Sequence, residues 1–243
     1  MNRSALVGLA LLIAAGSAHG YELLRVHNDP CARSEHNLFW RPHMVPVSVA
    51  PLPDDRYKNL AIEAWQTWNA HVGAFTFTFG GNEGACVQDG VASIAIAPTA
   101  CENVPFEGAL AVTRSVWHSD TGELIDADIT FQPDTLVVGR EDLFLQVAMH
   151  ELGHVLGLAH SDACGGNGAG TLMKTFLNFN DPVLTAPQAD DVAGANAIYG
   201  GSSGSSDSAN SCAIAPPRRD AAGLAWLLPL ALLLIGRRSA RRN

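Results

Sequence analysis

The residues best suited to catalysis lie in one short string of the 243-residue chain, from His150 to His160. Residues four apart share one face of a helix, so His150 and His154 can bind the same metal ion. Gly157 can adopt the left-handed conformation that ends a helix and turns the chain back, which would bring His160 in as a third ligand. Three imidazoles leave one position of a zinc ion open, as in catalytic rather than structural zinc sites.

Glu151 follows the first of these ligands, and its carboxylate can reach a water molecule on the metal without itself binding the metal. This placement predicts a general base that takes a proton from the water. Three His, one Glu and one Gly at fixed positions should occur by chance in on the order of 1 in 10⁵ chains of this length. The alternative, histidines that are only packed or solvated on a helix, is therefore disfavoured.

The pattern of apolar residues predicts the elements that position this string. Helices are predicted over Tyr57–His71, about Arg140–Leu156, and Asp190–Tyr199, the last preceded by a capping box in Thr185–Gln188. Alternating or continuous apolar runs predict five strands: Val45–Val49, Phe75–Phe79, Ala92–Ala97, Ala109–Trp117 and Leu124–Phe131. One helix, several strands and two further helices indicate an α+β fold.

Both ends of the chain differ in composition from its body. Residues 1–20 contain one early cation, an apolar run and small residues, which predicts a signal peptide cleaved near Tyr21. Residues 201–211 are rich in Gly and Ser and predict a flexible linker. The residues between, 21–200, predict one globular domain.

The body of the chain is strongly acidic. Residues 21–211 contain 8 Lys or Arg and 23 Asp or Glu, a formal charge of −15. Such a surface repels phosphate backbones, which excludes nucleic acid as a partner.

Export would place the cysteines in an oxidising compartment, where disulfides persist. Cys31, Cys86, Cys101 and Cys164 allow three pairings, and four unpaired buried thiols are the alternative. We favour a Cys86–Cys101 pair, because these two residues bracket one predicted strand. Cys212 lies beyond the linker, and we expect it to serve in anchoring or processing of the chain.

The tail, residues 212–243, combines Cys212, an apolar run from Ala221 to Gly236 and four arginines near its end. A helix of this length spans about 24 Å, which is shorter than the ~30 Å core of a bilayer. The arginines are typical of the cytoplasmic end of a membrane-inserted segment. The combination resembles the MYXO-CTERM sorting signals of bacterial surface proteins, whose tail is removed near the Cys. We therefore expect an exported protein anchored at the cell surface or outer membrane, or released from it. Anchoring by an intact transmembrane helix is the alternative.

The string His150–His160 also resembles the extended zinc motif of metzincin metallopeptidases, and two nearby residues, Ser161 and Thr175, favour the matrixin branch. Ser161 is the residue type that matrixins carry after the third His, where astacins have Glu and serralysins have Pro. Met173 is similar to the methionine of the Met-turn, an apolar floor beneath the zinc ligands. Thr175 stands where astacins and serralysins place Tyr.

Two further stretches, Pro105–Gly108 and Gln188–Gly200, resemble a matrixin P-F-[DE]-G stretch and closing helix, so the resemblance covers roughly residues 38–200. It implies a metzincin-type catalytic domain with a twisted, mostly parallel sheet, an antiparallel edge strand, three helices and a cleft over the zinc. It also implies a monomeric endopeptidase that hydrolyses proteins or peptides by zinc-activated water, with Glu151 as general base and acid. The alternatives are a non-catalytic, zinc-stabilised surface binding protein and a peptidase of another metzincin branch.

The resemblance also raises the question of further metal ions. Many animal matrixins hold a structural zinc through histidines of strands before the active helix. Here Arg114 falls near one such position and Leu124–Phe131 contains no His, so we expect one zinc ion, the catalytic one. Glu107, Asp126 and Asp128 are candidate calcium ligands, with a solvated strand and turn as the alternative.

Overall fold

The computed structural model of the chain describes residues 20–200, apart from residues 83, 134–136 and 138. Within them lie three α-helices, α1 (Asp55–His71), α2 (Glu141–Val155) and α3 (Ala189–Tyr199), and a 3-10 turn at Cys101–Asn103. The strands are β1 (Glu22–Leu23), β2 (Met44–Val49), β3 (Thr76–Gly81), β4 (Ala92–Ile96), β5 (Ala111–Trp117), β6 (Leu124–Phe131) and β7 (Leu158–Ala159). The predicted linker and tail, and all but Gly20 of the predicted signal peptide, lie outside the described residues.

Five strands form one sheet in the order β3-β2-β4-β6-β5. The pairs β2–β3, β2–β4 and β4–β6 are parallel, and β5 runs antiparallel to β6 at the edge of the sheet. This topology confirms the mostly parallel sheet with an antiparallel edge strand. A separate antiparallel pair, β1–β7, ties the start of the domain to the segment after α2.

The hydrophobic core lies between this sheet and the helices α1 and α2. The indole of Trp68 on α1 donates a hydrogen bond to the backbone oxygen of Met149 on α2, at 2.8 Å. Phe144 on α2 meets Tyr57 edge-to-face at 5.0 Å and stacks on Phe131 of β6 at 4.5 Å. These contacts hold α2 against the sheet. The helix that carries the histidine motif is therefore fixed in position over β5 and β6.

Two helix starts differ from the sequence prediction. α1 begins at Asp55, because the Asp54 side chain caps the helix by accepting a hydrogen bond from the backbone N–H of Arg56. The capping box predicted within Thr185–Gln188 is wrong: Gln188 is itself the cap of α3. Its partner is Asp191, whose carboxylate accepts from the backbone N–H of Gln188 at 2.8 Å.

Two disulfides join the four cysteines of the described domain. Cys86 pairs with Cys101 and closes a short loop around β4. Cys31 pairs with Cys164, 133 residues away, and ties the N-terminal segment to the loop that follows His160. A crosslink across so long a loop restricts the unfolded chain strongly. No helix among the described residues is long and apolar enough to cross a membrane.

Two carboxylates lie side by side in the interior of β6. Asp126 and Asp128 are 0% and 1% exposed. Asp126 accepts a hydrogen bond from the backbone N–H of Gly90 and Asp128 one from the hydroxyl of Ser93, and each keeps one oxygen without a partner among the described residues. Burial, and then the neighbouring Asp128, raise the pKa of Asp126 to about 7. Near neutral pH, Asp126 is therefore partly protonated in the folded protein.

We expect Asp126 to lower the free energy of unfolding as the pH rises from about 4 to about 7 in the presence of a chelator. This contribution is measured as the difference between the wild type and Asp126→Asn, because the lowered pKa values of His154 and His160 act in the opposite direction in the metal-free protein. Folded Asp126 keeps its proton until about pH 7, whereas an unfolded Asp releases it near pH 3.9, so deprotonation costs the folded state stability. Asp126→Asn should remove this contribution and be more stable than the wild type by roughly 1–3 kcal/mol at pH 8. Urea denaturation from pH 4 to 8 measures it, with the exposed Asp120→Asn as control. An unchanged slope in Asp126→Asn would contradict the assignment.

Candidate metal centre

The three histidines of the motif converge at the C-terminal end of α2. His150 and His154 lie one turn apart on one face, and Gly157, with φ of +96°, turns the chain so that His160 approaches them. A Cβ at Gly157 would lie 2.5 Å from the backbone oxygen of Leu38, so only glycine fits this turn. The ligand atoms of the three rings all lie within 4.8 Å of one another.

Hydrogen bonds to backbone carbonyls fix the orientation of two of the rings. Nδ1 of His150 lies 2.8 Å from the oxygen of Leu172, and Nδ1 of His154 lies 2.8 Å from the oxygen of Leu158. A carbonyl oxygen can only accept, so each Nδ1 carries the hydrogen and each Nε2 keeps a free lone pair.

The electrostatics of the cluster favour neutral imidazoles. Burial, followed by the neighbouring histidines, lowers the pKa of His154 well below its usual value. Burial and His150 lower the pKa of His160 to about 4. Neutral imidazole is the form that binds a metal. Three converging imidazoles, two of them oriented by backbone carbonyls, fit a zinc ion, and in the part of the chain that the structure describes no other group of three His, Cys, Asp or Glu could hold one.

Met173 packs against α2 at Gly153, the residue before His154. A Cβ at Gly153 on α2 would lie only 2.3 Å from its sulfur, so the glycine lets the turn approach the helix closely. The backbone N–H groups of Leu172 and Met173 both donate to the buried carboxylate of Asp191, at 2.8 and 3.1 Å. The backbone oxygen of Met173 accepts from the N–H of Ser161 at 2.8 Å. The turn is thus tied both to α3 and to the segment of the third histidine.

Glu151 lies beside the histidines but outside the ligand group. It is 6% exposed, and the hydroxyl of Thr113 on β5 donates a hydrogen bond to its Oε2 at 2.6 Å. Burial raises the pKa of Glu151, against the opposing effects of His150 and of the Thr113 hydrogen bond. A raised pKa makes the carboxylate a stronger base near neutral pH.

These residues line the floor of a cleft of about 1010 Å³. One wall is formed by the start of β5 and the preceding residues 106–110, and the other by residues 170–184. Phe176 and Phe179 stand on the second wall with 78% and 49% of their surface exposed. The cleft is therefore open to a large ligand and partly apolar.

The structure does not bring the three candidate calcium ligands together. Glu107 lines the cleft, whereas Asp126 and Asp128 lie in the interior of the sheet. Arg114, which led us to expect no structural zinc, forms an ion pair with Glu102 at 2.5 Å.

Two contacts within the candidate site were missed by sequence reasoning. The contact of Thr113 with Glu151 depends on how α2 lies over β5, and no local pattern encodes that distance. Asp191 was recognised only as part of the closing helix. Asp191 lies 18 residues beyond Met173, and this separation does not indicate that its side chain accepts a hydrogen bond from the backbone of Met173.

We expect one tightly bound zinc ion per chain, held by His150, His154 and His160. Elemental analysis of the purified protein after dialysis measures the content directly. Replacing His154 by Ala should remove most of the metal, whereas the exposed His118→Ala should leave it in place. Two tightly held zinc ions per chain would show that the argument from Arg114 against a structural zinc is wrong.

The chain is similar in sequence to a family of known peptidases. The sequence model of the matrixin family of peptidases matches residues 35–200. Stromelysin-3 of Rattus norvegicus is 32% identical over 151 residues, 60% of this chain, and stromelysin-3 of Mus musculus is 33% identical over 153 residues, also 60%. Neutrophil collagenase of Homo sapiens is 35% identical over 105 residues, which are 42% of this chain and 21% of the collagenase. The chain spans 27% of the length of the two stromelysin-3 relatives.

Proposed function

The chain belongs to the matrixin family of peptidases, and on that premise we propose that it is a zinc-dependent endopeptidase with Glu151 as its general base and acid. The observation that carries this proposal is a buried carboxylate beside three converging imidazoles at the floor of an open cleft. A zinc site that only stabilises a fold has four protein ligands and needs no base. The described residues instead supply three ligands and a carboxylate.

The residues of the site have separate roles in this proposal. His150, His154 and His160 would hold the zinc ion, the first two through the Nε2 atoms that their Nδ1 hydrogen bonds leave free. When bound, zinc would lower the pKa of a water molecule towards ~7 and polarise the carbonyl of the scissile bond. Glu151 would accept the proton of the attacking water and donate it to the leaving amine nitrogen. Its raised pKa favours holding that proton between the two transfers.

The substrate would be an extended peptide. β5 pairs with β6 on one side and is the edge strand of the sheet beside the cleft, so a peptide could add to its free edge by backbone hydrogen bonds. Residues 174–184 would shape the pocket for the side chain just beyond the cleaved bond.

Digestion of an unfolded protein substrate, read by mass spectrometry, tests this proposal. We expect cleavage at internal peptide bonds, and loss of all cleavage after a zinc chelator is added. A protein that binds zinc but cleaves nothing would instead be a zinc-stabilised binding protein. Cleavage that is insensitive to chelation would contradict the metal-dependent mechanism.

We also propose that the protein is exported, loses its tail near Cys212 and is attached to the cell surface. The support is compositional: the apolar segment in residues 1–20, the linker 201–211, and Cys212 followed by an apolar run and arginines. We expect the mature protein to begin near Tyr21 and to end at or near Cys212. Intact-mass analysis of the protein from its native host measures both ends. Residues 221–243 still present would contradict processing, and recovery of most of the protein as soluble, unmodified full-length chain would contradict anchoring.

We propose calcium as a second ion, bound by Asp126 and Asp128 but not by Glu107. Each of the two buried carboxylates has one unpartnered oxygen, and oxygen ligands are those that calcium prefers. We expect added calcium to raise the unfolding temperature of the wild type and not that of Asp126→Asn. An equal response of both proteins, or none, would contradict a calcium site here.

A further inference from the structure

The hydroxyl of Thr113 is the one side-chain donor that reaches the Glu151 carboxylate in the described part of the chain. Its Oγ1 lies 2.6 Å from Oε2 of Glu151 and 3.3 Å from the backbone oxygen of the same residue. A hydroxyl has one hydrogen, and the shorter, charge-assisted contact takes it. Oε1 of Glu151 is left without a donor among the described residues.

This hydrogen bond restricts the side chain of Glu151. A carboxylate held at Oε2 cannot rotate freely, so Oε1 keeps one direction. Both residues line the cleft. A general base acts only within hydrogen-bond reach of the proton that it takes, so its orientation contributes to the rate. The contact also makes the orientation of Glu151 depend on β5, a strand that is not part of the histidine motif.

The position of Thr113 depends on the register of β5. Thr113 lies opposite Ile129 of β6, and the next residue, Arg114, is engaged with Glu102. Side chains alternate between the two faces of a strand, so a shift of one residue would turn the hydroxyl away from Glu151. The same strand offers the free edge for an extended peptide. Binding of the substrate and orientation of the base therefore rest on one element.

We propose that Thr113 is a positioning residue, whose hydroxyl holds Oε2 of Glu151 so that Oε1 faces the reacting water. This inference rests on the proposed endopeptidase function. It predicts that the methyl group of Thr113 is dispensable and that its hydroxyl is not.

The test compares Thr113→Val, which keeps the shape and removes the hydroxyl, with Thr113→Ser, which keeps the hydroxyl. Thr130→Val is the matched control: Thr130 is a buried threonine of β6 whose hydroxyl faces the backbone oxygen of Val112 at 3.5 Å. Steady-state kinetics of the full chain on one peptide are measured with zinc content and unfolding temperature. Thr113→Ala is a second deletion of the hydroxyl should the valine variant misfold.

We expect Thr113→Val and Thr113→Ala to lower kcat about 10- to 100-fold, with little change in KM or zinc content. Thr113→Ser should recover most of the lost kcat, and Thr130→Val should keep the wild-type value. A valine variant with wild-type kcat, or a serine variant as slow as the valine one, would overturn the inference while the endopeptidase function stands. A wild-type protein that cleaves no peptide would overturn the proposed function itself.

Discussion

Replacing Glu151 by Gln is expected to slow peptide hydrolysis by ~10²- to 10⁴-fold, while the protein keeps its zinc and its fold. Gln has the shape of Glu and can still accept the hydrogen bond from Thr113, but it cannot take a proton from water. The three histidines are unchanged, so the metal should be retained. Cleavage rate, zinc content and unfolding temperature together separate a chemical defect from a structural one.

The matched control for this variant is Glu63→Gln, an exposed carboxylate on α1 far in sequence from the motif. It should keep wild-type activity. A Glu151→Gln protein whose activity lies within about tenfold of the wild type would show that this carboxylate is not the base.

Asp191→Asn is expected to destabilise the protein by about 2–4 kcal/mol and to weaken zinc binding about 10- to 100-fold. The Asp191 carboxylate accepts three backbone N–H groups, those of Leu172, Met173 and Gln188. Asn offers one acceptor oxygen and an NH2 group that can only donate, so at least one of these buried donors loses its partner. Leu172 also accepts the hydrogen bond that orients His150, which couples this defect to the metal site.

Urea denaturation and competition with a chromogenic zinc chelator measure the two effects. The exposed Asp120→Asn should change stability by less than about 0.5 kcal/mol. Normal zinc affinity in Asp191→Asn would mean that the turn at Leu172 and Met173 keeps its conformation without this carboxylate. The proposed link from Asp191 through Leu172 to the metal site would then be wrong.

The parts of the site that local patterns encode could be predicted from the sequence. Helical spacing places His150 and His154 on one face, and a glycine at position 157 indicates the turn towards His160. The sheet topology came from the resemblance to metzincins, because apolar patterns indicate strands but do not order them.

The features that sequence reasoning missed depend on distances between remote segments. The hydroxyl of Thr113 meets Glu151 across 38 residues, and Cys31 meets Cys164 across 133. The failed capping box has a local cause: Thr185 and Gln188 have the right spacing, but Asp191 offers Gln188 a better partner one turn later. The calcium hypothesis grouped Glu107 with Asp126 and Asp128 by their nearness in the sequence, and the fold separates them.

We propose that one zinc ion, held by His150, His154 and His160, makes the chain an endopeptidase. Titration of the metal-free full chain with zinc, with peptide cleavage as the readout, tests it most directly. We predict no cleavage without metal and a linear rise that ends at one equivalent of zinc, with the same titration of Glu151→Gln binding zinc but remaining inactive. Full activity in the metal-free protein, or no activity at any zinc level in a folded wild type, would contradict the claim.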